Sequence, residues 1–411
     1  MKRSPFRYPD AAMGTFLAVY AAFSAVILAF HIALTVGLVR TIVIGRRERQ
    51  AARRPQPLRP EVIVALRNEE STLPALLSSL SAQTSQDAMF LFVDDRSSDS
   101  TARLLDEFCA AAGARARVIH NSQEPKDLTG KQAALDLAFD ACRGDVLVFT
   151  DGDCTVPPGW VEEMAGCFHD PRVGVVISRI ELQSDRSFLQ RFQAFEQPLL
   201  NQYNLGSVGI GVATGCFGNN MAVRTEAVKA TGGFRALGYS VTEDAMLLDA
   251  VCRKAPWKPR ALVSKSSAAH TIGKVRWSDY VNQHTRWNAG GLFSEDLVTR
   301  ISYIFVVLIY LTASLLLLPV GFLDWRVPLL SLTSFVSIGL LGAVGGLYEG
   351  KERAGYFLTF LPFLVFFAFF YVFVTLRAFA MRPFEWKGRV LGPRSRIRRT
   401  PARQGQGTPE G

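Results

Sequence analysis

The sequence predicts an α/β protein: a mixed, mostly parallel sheet set between N- and C-terminal transmembrane helices. Apolar residues are clumped at the two ends of the chain rather than dispersed. In the middle, short β-branched and aromatic runs alternate with helical patterns. Acidic clusters follow three of those runs.

Hydrophobic residues make up 49% of the 411, with 29 Phe, a value that suits either a large soluble core or a membrane protein. Their distribution decides. Met13–Val39 is almost free of charge and exceeds the roughly 20 residues that cross a bilayer. It is too long for the apolar region of a signal peptide and lacks a small-residue cleavage site, so it reads as a retained anchor, with Ser24 and His31 as tolerated polar groups. Three further spans are expected at Ile301–Leu323, Val327–Tyr348 and Tyr356–Leu376, joined by connections short enough for helical hairpins. The expected organisation is an anchor over 1–45, a soluble domain over 59–291, three membrane segments over 300–378 and a basic tail over 379–411.

The formal net charge of +10 sits mostly beside the apolar blocks, at Arg40, Arg46, Arg47, Arg49, Arg53, Arg54 and Arg59 in front and Arg394–Arg403 behind. Arginine in that position answers to anionic headgroups and to topology, which places the middle domain in the cytoplasm of a cell bounded by a bacterial-type plasma membrane. No basic helix with interleaved aromatics appears there, so nucleic acid is not an expected partner. The side of the tail stays open: three spans after the domain put it outside, whereas its own charge puts it inside. The six cysteines are widely spaced without a C-x-x-C pair, which excludes a zinc framework and fits reduced thiols.

Strands are expected at Glu61–Leu66, Met89–Val93, Arg117–His120 and Asp145–Thr150, with helices at Ser71–Ala82, Ser100–Ala112 and Lys131–Ala141. Alternation of this kind makes βαβ units and a parallel sheet, whose ligands sit at the carboxyl ends of the strands. The polar clusters fall there. Arg67, Asn68, Glu69 and Glu70 follow the first strand, Asp94 and Asp95 the second, Asp151 and Asp153 the fourth.

Each cluster has a chemical and a plain reading. Asp151-Gly152-Asp153 offers two hard oxygen ligands for Mg2+ or Mn2+ shared with a diphosphate, or merely solvates a turn. Asp94 and Asp95 can accept hydrogen bonds from a base or a ribose, while Ser98 or Asp99 caps the next helix. Gly130-Lys131 opens a helix where the dipole and the amine both favour phosphate. It is no P-loop, since Pro125 stands where that motif needs glycine, and Gly209-x-Gly211 forms no dinucleotide fingerprint. Thr242-Glu243-Asp244 either caps an apolar helix or supplies Asp244 as a general base. Gln283-His284-Thr285-Arg286-Trp287 is either an interfacial anchor or a lid over a leaving diphosphate.

Taken together, VIVALRNEE, FVDDRSSDST, GKQAALDLA, VLVFTDGDC, ATGCFGNNMAVRTEAVKATGGF, VTEDAML and QHTRW, in that order over Arg59–Gly291, resemble family 2 glycosyltransferases, including ceramide-glucosyltransferase-like enzymes and Q-x-x-R-W synthases. The resemblance implies a nucleotide-sugar-binding, GT-A-like fold and an inverting transfer from a UDP-linked donor to a membrane lipid or glycan. Glu69, Asp94, Asp95 and Lys131 would hold the donor, and Asp151 and Asp153 the diphosphate and metal. Asp244 would be the base, beside Glu243. Gln283, Arg286 and Trp287 would cover the leaving group. Gly218, Asn219, Asn220, Trp287 and Gly232–Phe234 would line the acceptor side. Four visible spans favour a lipid acceptor over a processive polysaccharide synthase, which needs a secretion path. A non-catalytic membrane nucleotide-binding protein and a nicotinamide-dependent enzyme are the readings from other classes.

Overall fold

The computed structural model describes residues 10–51, 58–123, 128, 130–183, 187–240, 242–254, 257–294, 297–314, 324–348, 354–380, 384–386 and 389–391. Its strands are β1 (Pro60–Leu66), β2 (Met89–Asp95), β3 (Ala116–Asn121), β4 (Val146–Asp151), β5 (Cys154–Thr155), β6 (Val173–Ile177), β7 (Ile180–Gln183), β8 (Met221–Arg224), β9 (Lys258–Ala261), β10 (Ala269–Ile272), β11 (Phe384–Trp386) and β12 (Arg389–Leu391). The main sheet runs β3-β2-β1-β4-β8-β6-β9. β1 to β4 are mutually parallel, β8 is antiparallel to both of its neighbours, and β9 is parallel to β6. β5, β10 and β7 form a small second sheet beside it, and β11 pairs with β12 in a hairpin.

The helices are α1 (Asp10–Ala51), α2 (Leu73–Ser81), α3 (Thr101–Ala112), α4 (Lys131–Ala141), α5 (Trp160–Gly166), α6 (Phe188–Gly209), α7 (Thr225–Thr231), α8 (Gly233–Leu237), α9 (Glu243–Lys254), α10 (Trp277–Leu292), α11 (Leu297–Ser314), α12 (Arg326–Tyr348) and α13 (Ala354–Phe379). Successive residues of a strand face opposite sides of its sheet, and β1 divides its apolar run accordingly. Val62, Val64 and Leu66 pack with Leu76, Trp160 and Phe168 on one face. Ile63 packs with Leu135, Val223 and Leu247 on the other. That second core extends without a break to Leu34 and Leu38 of α1 and Leu341 of α12. An aromatic core then joins α6, α10, α11 and α13 through Phe192, Tyr280, Tyr310 and Phe367.

Among the described residues, three helices are long and apolar enough to cross a membrane, within Ala11–Gly45, Arg326–Tyr348 and Pro362–Phe379. Val19 (65% exposed), Val36 (60%) and Val336 (61%) turn outward from them, as a lipid-facing surface requires and a water-facing one disfavours. The remaining expected span, Ile301–Leu323, is a shorter apolar helix up to Ser314, and 315–323 lie outside the described residues. So do Arg53, Arg54 and the basic run Arg394–Arg403.

One charged group is wholly buried at the start of β1. Glu61 accepts from Arg117 at 2.6 Å and from the backbone N–H groups of Arg143 (2.5 Å) and Gly144 (2.8 Å). It thereby ties β1 to β3 and to the α4–β4 turn. Removing one partner of a buried pair costs about 3–5 kcal/mol. Glu61→Ala is therefore expected to lower the melting temperature of the detergent-solubilised chain by several degrees, and a melting curve identical to wild type would exclude this tie.

Candidate active site

The loops after β1 and β2 fit together residue by residue. Asn68 and Arg96 both adopt left-handed backbone conformations (φ 52° and 59°), which non-glycine residues adopt at a cost of about 1–3 kcal/mol. Side chains hold them there. Asn68 N–H donates to Ser97 Oγ (3.0 Å), Ser98 N–H to Asn68 Oδ1 (2.8 Å), Glu69 N–H to Thr101 Oγ1 (2.8 Å) and Ser100 N–H to Glu70 Oε2 (3.0 Å). The serines and threonine of the DDRSSDST segment thus latch one loop to the other. Glu69 Oε2 accepts from Thr72 Oγ1 at 3.1 Å.

Asp95 and Asp94, adjacent at the end of β2, turn opposite ways. Asp95 borders the central cavity and accepts from Arg96 Nε (3.0 Å) and Asn121 Nδ2 (2.9 Å). Asp94 is set apart from that cavity: it accepts from Ser97 N–H (3.2 Å) and lies 3.2 Å from His120 Nδ1. Hydrogen bonding to Asp106 opposes the effect of burial and, with help from Asp94, raises the His120 pKa.

Lys131, the first residue of α4, bridges two elements. Its Nζ lies 2.5 Å from Asp151 Oδ1 at the end of β4 and 3.7 Å from Glu243 Oε1 at the start of α9. Burial disfavours its charge, yet Asp151 and Glu243 outweigh burial and its pKa is raised. Burial raises the pKa of Glu243, with Lys131 opposing and Asp244 adding. Burial and the Asp151 charge raise that of Asp153. Gly152 between the two aspartates has no room for a side chain, since a Cβ would stand 2.8 Å from Glu69 Cγ and 2.7 Å from Leu66 Cδ2.

Among the described residues no group of three His, Cys, Asp or Glu side chains is preassembled as a metal cage. The donor set nevertheless suits a hard divalent cation. Asp151 and Asp153 present carboxylate oxygens at one strand end, and an added cation would offset the burial and the Asp151 charge that together raise the pKa of Asp153. A magnesium-type ion completes its shell with waters and substrate phosphates rather than protein alone.

Asp244 is fixed on both oxygens. Gly218 N–H donates to Oδ2 (2.7 Å) and Ala245 N–H to Oδ1 (2.9 Å). A Cβ on Gly218 would come within 2.9 Å of the same carboxylate. Asn219 borders the cavity next to it, but Asn220 does not. It is fully buried, accepting from Trp160 Nε1 and donating to the carbonyls of Arg179 and Ser267. Gly232–Phe234 likewise falls at the α7–α8 junction, with Phe234 in the core. Gln283, Arg286 and Trp287 lie on α10, where they form a wall of the cavity rather than a loop over it, with Trp287 against Phe217 at 6.3 Å.

These residues surround one cavity of about 2000 Å³ that runs from Arg67, Asp95 and Lys131 past Asp244 to Phe30, Tyr310 and Tyr371 of the apolar helices. Residues 61–232 match the family described as glycosyl transferase family 2. The chain carries a family 2 glycosyltransferase domain. Among curated proteins it is similar to an undecaprenyl-phosphate 4-deoxy-4-formamido-L-arabinose transferase of Pseudomonas fluorescens, 34% identical over 110 residues, 26% of this chain and 31% of that protein. It is also similar to a pre-mycofactocin glycosyltransferase of Mycobacterium tuberculosis, 28% identical over 175 residues, 42% of this chain and 35% of that protein. Both matches span well under half of those relatives. A mannosyltransferase of Pyrobaculum calidifontis, solved with GDP-Man and Mn2+, aligns with a TM-score of 0.49 at 14% identity, over 87% of this chain and 99% of that one.

Sequence reasoning alone passes over Glu196 of α6 and Tyr280 of α10, which border the same cavity of this glycosyltransferase domain. Tyr280, His284 and Trp287 repeat at helical spacing, and that stripe is the signal that brings Tyr280 and His284 to the same face as Trp287.

The His120–Asp94 pair gives a pH-dependent outcome. A histidine whose pKa is raised by folding contributes stability that is complete below its ordinary range near 6.5 and disappears as the pH rises through the folded pKa. His120 is partly exposed, so His120→Gln is expected to cost only about 0.5 kcal/mol at pH 5.5 and nothing at pH 9. Equal melting-temperature deficits at the two pH values would contradict this.

Proposed function

We propose that this domain is an inverting glycosyltransferase that moves a sugar from a nucleotide-sugar donor, UDP-linked, to a lipid acceptor in the membrane. The observation that carries the reading is the continuity of the cavity, which joins strand-end carboxylates to aromatic side chains of the apolar helices. The named activities of the two curated relatives agree with sugar transfer in general. The arginines in the last turns of α1 and just beyond it support a cytoplasmic position for the domain.

In this reading Asp95, with Asp94 supporting its loop from behind, takes the nucleoside, and Glu69 and Lys131 take the donor beyond it. Asp151 and Asp153 would hold Mg2+ or Mn2+, which when bound supplies positive charge against the diphosphate. Arg286 and Gln283 donate from α10 to the same departing group, and Trp287 closes the acceptor side. The acceptor hydroxyl attacks the anomeric carbon opposite the leaving diphosphate. Its oxygen forms the new bond as the bond to the phosphate oxygen breaks, and its proton passes to Asp244. The backbone N–H groups on Asp244 fix the direction in which it accepts. A single displacement inverts the centre. Glu243, paired with Lys131, sets the field around that base.

The test is transfer from a panel of labelled nucleotide sugars, with Mg2+ or Mn2+, by membranes carrying wild type or Asp244→Asn. Label is expected in an organic-extractable product. The variant should lose about 10²–10⁴-fold in rate while retaining nucleotide affinity, and EDTA should suppress the wild type. Full activity of Asp244→Asn removes it as the base, label in a polymer points to a synthase, and nucleotide binding without transfer points to a binding protein.

A further inference from the structure

The cavity holds a polar group that the transfer reaction does not use. Glu196 sits in the middle of α6, 3% exposed, between helices that pack on apolar segments. Carboxylates so buried are costly unless each oxygen is satisfied. Oε2 accepts from the Tyr280 hydroxyl and lies 3.3 Å from His284 Nε2. Oε1 has no hydrogen-bond partner, and neither does His284 Nε2. All three residues border the cavity shared with Asp244 and Trp287. Phe192, Phe370 and Trp277 surround Tyr280 and make the adjoining wall aromatic.

Resting on the lipid-acceptor reading above, we infer that Glu196, Tyr280 and His284 form a second acceptor subsite, which takes a hydroxyl of the lipid headgroup while another hydroxyl reaches Asp244. The acceptor is then an uncharged lipid bearing more than one hydroxyl, such as a glycosylated diacylglycerol, rather than a lipid phosphate. The chemistry discriminates between the two. A hydroxyl both donates, to Oε1, and accepts or donates at an imidazole nitrogen. An ionised phosphate only accepts, so it has no proton to offer to Oε1. Among the described residues no lysine or arginine pairs with Glu196 to reverse that preference. Other cations border the same cavity, among them Arg67, Lys131, Lys274, Arg276 and Arg286, but Lys131 pairs with Asp151, Lys274 is close enough to Asp153 to favour its ionised form, and Arg276 is exposed. A site built around unmet acceptors selects strongly against ligands that cannot donate.

Three lipids of identical chains separate the possibilities: monoglucosyl-dioleoylglycerol, dioleoylglycerol and dioleoylphosphatidate, each in mixed micelles with the nucleotide sugar that the full-length wild type consumes fastest. Wild type is expected to prefer the glucosyl lipid. Glu196→Met, which keeps volume and removes both oxygens, should raise KM for that lipid about tenfold with kcat and the donor KM unchanged. Glu196→Gln, which restores an acceptor oxygen, should stay within about threefold of wild type, and it guards against misfolding of the first variant. Tyr280→Phe should resemble Glu196→Gln. A purely structural role would move kcat and the donor KM together. Preference for the phosphatidate, transfer to none of the three, or an unchanged KM in Glu196→Met overturns the inference and leaves the donor chemistry standing. Failure to consume any nucleotide sugar counts instead against the transferase reading itself.

Discussion

At the mouth of the main sheet, one ammonium group stands among carboxylates. Lys131 Nζ meets Asp151 from β4 and Glu243 from α9, with Asp153 two residues beyond the first and Asp244 next to the second. Burial is the main cause of the raised pKa values of Glu243 and Asp153, and the neighbouring charges of Asp244 and Asp151 add to it. Lys131 offsets part of it. It also does so from the first turn of a helix, where the backbone dipole adds positive potential. The carboxylates it leaves unmatched would suit an added cation.

Around that centre, rigidity comes from polar side chains acting on backbone. Strained turns at Asn68 and Arg96 persist because side chains take the backbone N–H groups around them: Ser97 accepts from Asn68, Asn68 from Ser98, and Asp94 from Ser97. Gly152 and Gly218 matter for the opposite reason: a side chain at either would collide with Glu69 or Asp244.

Much of this was legible beforehand. The apolar runs marked β1, β2 and β4, because a strand buried on both faces has to be largely apolar, while β3 lies at the sheet edge and is only partly buried. The acids at their ends marked the rim of the sheet. Other features lay beyond local pattern. Asp94 and Asp95 look equivalent in sequence, but alternation along β2 sends only Asp95 to the cavity. Asn219 and Asn220 part in the same way. The antiparallel insertion of β8 between β4 and β6 depends on long-range pairing that no short window records. Glu196 reads as one more polar residue of a long helix, and only the packing of α6 against α10 reveals its unmet oxygen.

α10 is engaged on every side. Tyr280 and His284 reach Glu196, Gln283, Arg286 and Trp287 border the cavity, and Asn282 and Asn288 bond Arg377 and Thr375 of α13. Gly290 sits against Thr242 and Gly291 against Tyr303. Each residue of a helix advances by about 100°. Insertion of one residue would therefore rotate every later contact off its partner at once, whereas a point substitution disturbs only one. The register of this helix is in effect a shared coordinate for the apolar helices and the polar cavity, and neither side can drift along the sequence without carrying the other with it.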